Sequence, residues 1–393
     1  MYRNRWWNLS LGVVALMSFT VALSGCGGFF VCEGKASCPS SGTTSGTGDF
    51  VYVTNSQSGT TYINGYQVTS GSFVSTTGGA VNLTYQPRAM VTSTNNQYLY
   101  IGTDTTTAAT TTPELYGYSI GTGGALTALG GGVGLYGEPV LAMDVSPDGQ
   151  WLFALNADWT TVERFGITST GTLSGPVQFS SGISTSGTGQ PFAYGSLKVA
   201  PSGQFIAVQV AGQGTSILPL TTSSGLLGTG VPLTESSTIG NFALAVDSSN
   251  YVYVVMGGGL YVYSVNSSGA PNPATALTGS PYAIGSPGSP SAMTISTGNN
   301  YLYVATAVSN LIYGFTGVSG NGTLTAMAPT SVAAPPGVAA LGRDSDGTYL
   351  LAGGYSALSG LQLYTIGSAG LLKPGPSVVN PVSTVPMTIA FTH

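Results

Sequence analysis

The chain has 393 residues, of which only 5% are charged, and a formal net charge of −5. No basic stripe is present to release counterions from phosphates, which argues against nucleic acid and an acidic lipid surface as partners. Apolar residues at 42% and aromatics at 10% are enough for a large core, so the many Gly, Ser and Thr residues read as short strands and turns rather than disorder.

Residues 1–25 form a targeting segment. Arg3 and Arg5 supply a positive start, and the apolar run over residues 9–23 is shorter than a spanning helix needs. The run ends in Leu23-Ser24-Gly25-Cys26. This resembles the lipobox of bacterial lipoproteins, which implies cleavage before Cys26, lipidation of its thiol and a membrane anchor. Gly27 follows where a retained inner-membrane lipoprotein resembles one with aspartate, so the outer membrane is favoured in a cell with two membranes. Residues 26–48 then read as a Gly/Ser/Thr tether. Within it, Cys32 and Cys38 are expected to pair as a disulfide in an exported compartment. Two free thiols are the alternative.

From residue 49 onward one unit recurs. It is clearest over residues 139–173: an apolar run at Val140–Val145, the turn Ser146-Pro147-Asp148-Gly149, a second run from Trp151 and a third from Thr161. Three sets of markers follow it along the chain. Apolar residues mark first strands at Met90, Met143, Leu197, Leu244, Met293, Leu341 and Met387. Aromatic residues begin second strands at Phe50, Tyr98, Trp151, Phe205, Tyr251, Tyr301 and Tyr349. Glycines close third strands at Gly71, Gly124, Gly171, Gly225, Gly269, Gly322 and Gly370.

The spacing of 44 to 54 residues suits a four-stranded propeller blade. The sequence therefore predicts an all-β, seven-bladed β-propeller of four-stranded antiparallel blades over residues 49–393. The chain enters on a second strand and leaves on a first strand, so both termini are expected to complete the first blade and remove exposed edges. A monomer is expected.

Tyr52-Val53-Thr54-Asn55 and Ser146-Pro147-Asp148-Gly149 followed by Trp151-Leu152-Phe153 resemble the core of YVTN propeller repeats. With Tyr301-Leu302-Tyr303-Val304 and Gly322-Thr323-Leu324 they resemble the seven-bladed lactonase-like family, which includes 6-phosphogluconolactonase-like proteins. That resemblance implies a WD40-like ring and a lactone-hydrolysing activity.

The residues themselves point first to a binding or scaffold module. The single histidine, His393, is the last residue, which removes a Ser-His-Asp arrangement. Asp148, Asp344 and Asp346 read as turn residues bonded to their own backbone. Asp144 and Lys198 share a register in consecutive first strands, as a buried pair or as a solvated channel lining. No metal or cofactor motif is present.

The loops entering first strands and those between second and third strands should share one face. They carry Arg88, Glu138 and Tyr194, and Asn55, Asp104, Asn156, Asp158 and Trp159. Such a set suits a carbohydrate or peptide ligand. The alternative is hydrolysis of a neutral lactone, with Glu138 and Arg88 as the candidate base and oxyanion donor. The two readings part on one observation, namely whether Arg and acids converge at one mouth of the channel.

Overall fold

The computed structural model describes residues 49–392 except 58, 105–111, 184–193, 235–242, 257–258, 286–289, 319, 356–359 and 380–384. Cys26, Cys32, Cys38 and His393 lie outside the described residues. Seven antiparallel sheets follow one another along the chain, four of them with four strands and three with a short fifth. The first strands of blades 2 to 7 are Gln86–Thr92, Val140–Val145, Gly195–Val199, Leu244–Val246, Pro290–Ile295 and Val338–Arg343.

The first blade takes its inner strand from the C-terminus. Val385–Phe391 pairs with Asp49–Gln57, in the register Val51 to Phe391 and Val53 to Ile389. Side chains reinforce that seam: Thr388 N–H donates to Thr54 Oγ1 at 2.8 Å, and Phe50 N–H donates to Thr392 Oγ1 at 2.5 Å. The terminal strands therefore have no free edge towards each other, as the order of sequence markers predicts.

Each sheet is covered on both faces, so the first and second strands lose the usual alternation of apolar and polar. All six residues of Val140–Val145 are buried, as are all six of Phe205–Val210. The core is accordingly split into seven layers, one per pair of neighbouring blades. Blades 2 and 3 meet through Val91, Tyr100 and Leu115 against Leu152, Ala154 and Phe165. Blades 7 and 1 meet through Leu351, Leu361 and Leu363 against Val51, Val53 and Val68, which completes the ring.

The two marker sets of the sequence turn out to be partners across these layers. A Cβ built on Gly171, whose φ is +80°, would lie 2.3 Å from the Tyr98 ring. The same approach recurs for Gly124 on Phe50, Gly225 on Trp151, Gly322 on Tyr251 and Gly370 on Tyr301. Only glycine satisfies both the left-handed φ and the missing volume. One register further in, Tyr100 Oη donates to the Gly171 carbonyl at 2.9 Å and Tyr303 Oη to the Gly370 carbonyl at 2.7 Å. The last joint of this kind, Tyr349 on Gly71, crosses from blade 7 to blade 1. All of them sit on the face of the ring formed by the tight turns.

Candidate functional site at the loop face

The opposite face carries the starts of the first strands and the ends of the second strands. In blade 2 the first strand does not run evenly. Its pairing shifts between Pro87 and Ala89, so Arg88 is the extra residue of a β-bulge. A bulge turns a side chain away from the regular pleat. The corresponding extra residues of blades 3, 6 and 7 are Leu141, Ser291 and Ala339, none of them charged. Arg88 thus lies inside the strand rather than in the loop before it.

Arg88 Nη1 lies 3.8 Å from Asp104 Oδ1, both side chains being little exposed. Asp104 ends the second strand of the same blade, opposite Gln86. Burial lowers the pKa of the guanidinium, and the charges of Asp104, Glu138 and Tyr194 act in the opposite direction. Glu138 comes from the loop entering blade 3, and Tyr194 from the residue before the first strand of blade 4. Three consecutive blades therefore bring Asp104, Glu138 and Tyr194 into electrostatic reach of Arg88. Glu138 is exposed, whereas Tyr194 is half-buried. Arg88 Nε has no hydrogen-bond partner among the described residues.

The remaining predicted residues have other settings. Asn156 ends the second strand of blade 3 and is buried; its Nδ2 donates to Glu163 Oε1 at 2.5 Å. Asp158 folds its own turn, with Oδ1 accepting from Thr160 and Thr161 N–H and Oδ2 from Thr161 Oγ1. Trp159 occupies that turn at φ +51°, a left-handed conformation that a bulky residue rarely adopts. Asn55 is buried within its strand, its Nδ2 3.5 Å from the Val53 carbonyl. Asp144 ties blades 3 and 4 together by accepting Val199 N–H at 2.7 Å, and Lys198 is buried beside that register.

Two residues at this face escape the sequence reading. Glu163 is wholly buried in the third strand of blade 3, and burial raises its carboxyl pKa above the ordinary range. Its Oε1 also accepts Tyr136 N–H at 3.0 Å. Tyr136 itself is 57% exposed, two residues before Glu138. The adjacent charges Glu163 and Arg164 inside the strand Thr161–Gly166 were the available signal for Glu163.

Among the described residues, Arg88 is the only lysine or arginine on this face. Arg164 reaches the turn face, where Nη1 donates to the Ser224 carbonyl and the guanidinium lies 4.5 Å from the Trp151 ring centroid. Lys198 and Arg343 sit near the far ends of their first strands. Among the described residues no group of three or more His, Cys, Asp or Glu is placed to hold a metal ion.

No family model and no curated protein sequence matches the chain. Solved structures do. A candidate 6-phosphogluconolactonase of Bacteroides fragilis matches with a TM-score of 0.68 at 14% identity, covering 88% of this chain and 98% of that one. A counterpart from Bacteroides uniformis matches at 0.69 and 17% identity, covering 88% and 99%. The periplasmic gluconolactonase of Pseudomonas aeruginosa matches at 0.69 and 15% identity, with the same coverage. This chain has the seven-bladed fold of 6-phosphogluconolactonase-like proteins. At these identities the likeness concerns the fold.

Proposed function

We propose that the protein hydrolyses a neutral lactone, and that it does so outside the cytoplasm from a lipid anchor at Cys26. The observation that carries this reading is the convergence of Arg88 with Asp104, Glu138 and Tyr194 at one mouth of the ring. This convergence supports the hydrolase over the binding module. The gluconolactonase among the fold relatives supports the choice of reaction, and its periplasmic setting is consistent with the leader of this chain.

The chemistry is spare. The Glu138 carboxylate takes a proton from water, and the resulting hydroxide adds to the lactone carbonyl carbon. The Arg88 guanidinium faces the oxygen on which negative charge develops, and Asp104 holds that guanidinium in place. Collapse of the tetrahedral intermediate breaks the ring C–O bond, and the leaving alkoxide takes the proton back from Glu138. The net reaction joins one lactone and one water into one hydroxy acid.

A single guanidinium is poorly suited to a phosphorylated substrate, whose dianion calls for several cations. The test is hydrolysis of glucono-1,5-lactone, its 6-phosphate and γ-butyrolactone by the purified full chain in detergent, corrected for the spontaneous rate. Faster turnover of the neutral lactones, lost in Glu138→Gln, is expected. Background rates on every lactone would refute the reading.

A further inference from the structure

We propose that Tyr136 is a stacking platform for the ring of a neutral carbohydrate, and that buried Glu163 is the positioning residue that holds it. The inference rests on the loop-face mouth being the substrate site, and it names the class of substrate: a sugar lactone rather than an aliphatic one.

Tyr136 lies in the turn that precedes the first strand of blade 3. Leu135 is 9% exposed and plugs into the layer between blades 2 and 3, its N–H bonded to the Pro113 carbonyl at 3.0 Å. Gly137, at φ +91°, returns its N–H to the Leu135 carbonyl at 3.0 Å. Tyr136 is therefore the apex of a three-residue turn pinned on both sides. Glu138 follows, and buried Pro139 then leads into the strand. The turn is anchored by its backbone at every step, yet its largest side chain is left 57% exposed.

More than half of this large aromatic side chain faces water rather than an apolar neighbour. Glu163 adds the second observation. Its carboxyl group is fully buried, and its Oε1 accepts from both Tyr136 N–H and Asn156 Nδ2. Burying a carboxyl group for these two bonds costs more than a neutral acceptor would. What the carboxyl secures is the orientation of the Tyr136 backbone.

A pyranose offers a complementary surface. One face of its ring is lined by C–H groups and packs flat on an aromatic ring, while its hydroxyls project from the edge. Those hydroxyls would meet the exposed Glu138 carboxylate and the Arg88–Asp104 pair. An aliphatic lactone offers neither the flat C–H face nor the hydroxyls.

The experiment uses the full chain in detergent with two probes. Methyl β-D-glucopyranoside, which carries no lactone carbonyl, reports binding by saturation-transfer NMR and calorimetry. Glucono-1,5-lactone and γ-butyrolactone report turnover. Tyr136→Ala is expected to weaken glucoside binding about tenfold and to raise KM for gluconolactone about tenfold, with kcat little changed. Tyr136→Phe should keep both, and γ-butyrolactone turnover should not respond. Glu163→Ala should imitate Tyr136→Ala, and Glu163→Gln, which retains an acceptor, should restore most of the affinity.

Glucoside binding that is absent in the unmutated protein, or unchanged in Tyr136→Ala, overturns the platform. Glucoside binding that depends on Tyr136 without turnover of any lactone sustains the platform and refutes the hydrolase. Turnover that is indifferent to Tyr136 does the reverse.

Discussion

The two faces of the ring are built on opposite principles. On the turn face one joint recurs at six of the seven blade contacts: a left-handed glycine beside an aromatic ring of the preceding blade, joined at three of them by a tyrosine hydroxyl on the glycine carbonyl one register in. On the loop face nothing repeats. A bulge residue that is Leu141, Ser291 or Ala339 elsewhere is Arg88 in blade 2. The loops entering blades 3 and 4 supply Glu138 and Tyr194. Stability is distributed evenly on one face, and charge is concentrated in one sector of the other. Substitutions on the two faces should therefore separate cleanly into losses of folding and losses of activity.

The largest effect should follow from opening the ring. Deletion of residues 386–393 strips the inner strand from blade 1 and leaves Asp49–Gln57 with an unpaired edge. Aggregation during purification is expected, visible as void-volume material on size exclusion. A truncated protein that stays monomeric with an unchanged melting curve would mean that the seam contributes little.

Next in size is a single turn-face joint. Gly171→Val forces a branched side chain to φ +80° and into the Tyr98 ring. A loss of about 3 kcal/mol in unfolding free energy is expected from strain and displacement together. On the loop face, Glu138→Gln at an exposed side chain should change stability by less than about 1 kcal/mol. Denaturant titration of both variants measures the contrast, and equal losses would erase the distinction between the faces.

The smallest effect concerns pH and lies on the turn face at the seam. Asp344 is almost fully buried, and burial together with the charges of Asp49 and Asp346 pushes its pKa up to about 6. The unfolded chain titrates this group near 3.8, so the folded state binds more protons between the two values. The penalty for ionised Asp344 is fully present above pH 6 and is relieved as pH falls towards 4. Melting temperature should rise by on the order of 2 °C between pH 7.5 and pH 5, and Asp344→Asn should flatten that rise. A melting temperature that falls over the same interval, identically in the variant, would assign the pH response to other groups.

This asymmetry between faces also decides what the sequence reveals. The glycine and aromatic markers were legible because geometry pairs them at six of the seven joints, and a rule repeated around the ring outweighs local noise. The closure was legible because the order of markers at the termini leaves one strand short at each end. The convergence of Arg88 with Glu138 was not, since it depends on a bulge whose extra residue shares no chemistry between blades. Asn55, Asp104 and Asn156 were assigned to loops, but lie inside strands because the second strands extend farther than their apolar runs. Tyr136 escaped notice because an exposed tyrosine in a Gly-containing loop is ordinary until the buried acceptor beneath it is seen.

The central claim is that the charged sector of the loop face performs the chemistry. The most direct measurement is kcat/KM for glucono-1,5-lactone in Glu138→Gln beside the unmutated chain, with melting curves recorded on the same samples. The account predicts a loss of about 100-fold with the melting temperature unchanged. Equal turnover in the two proteins, both folded, would contradict it.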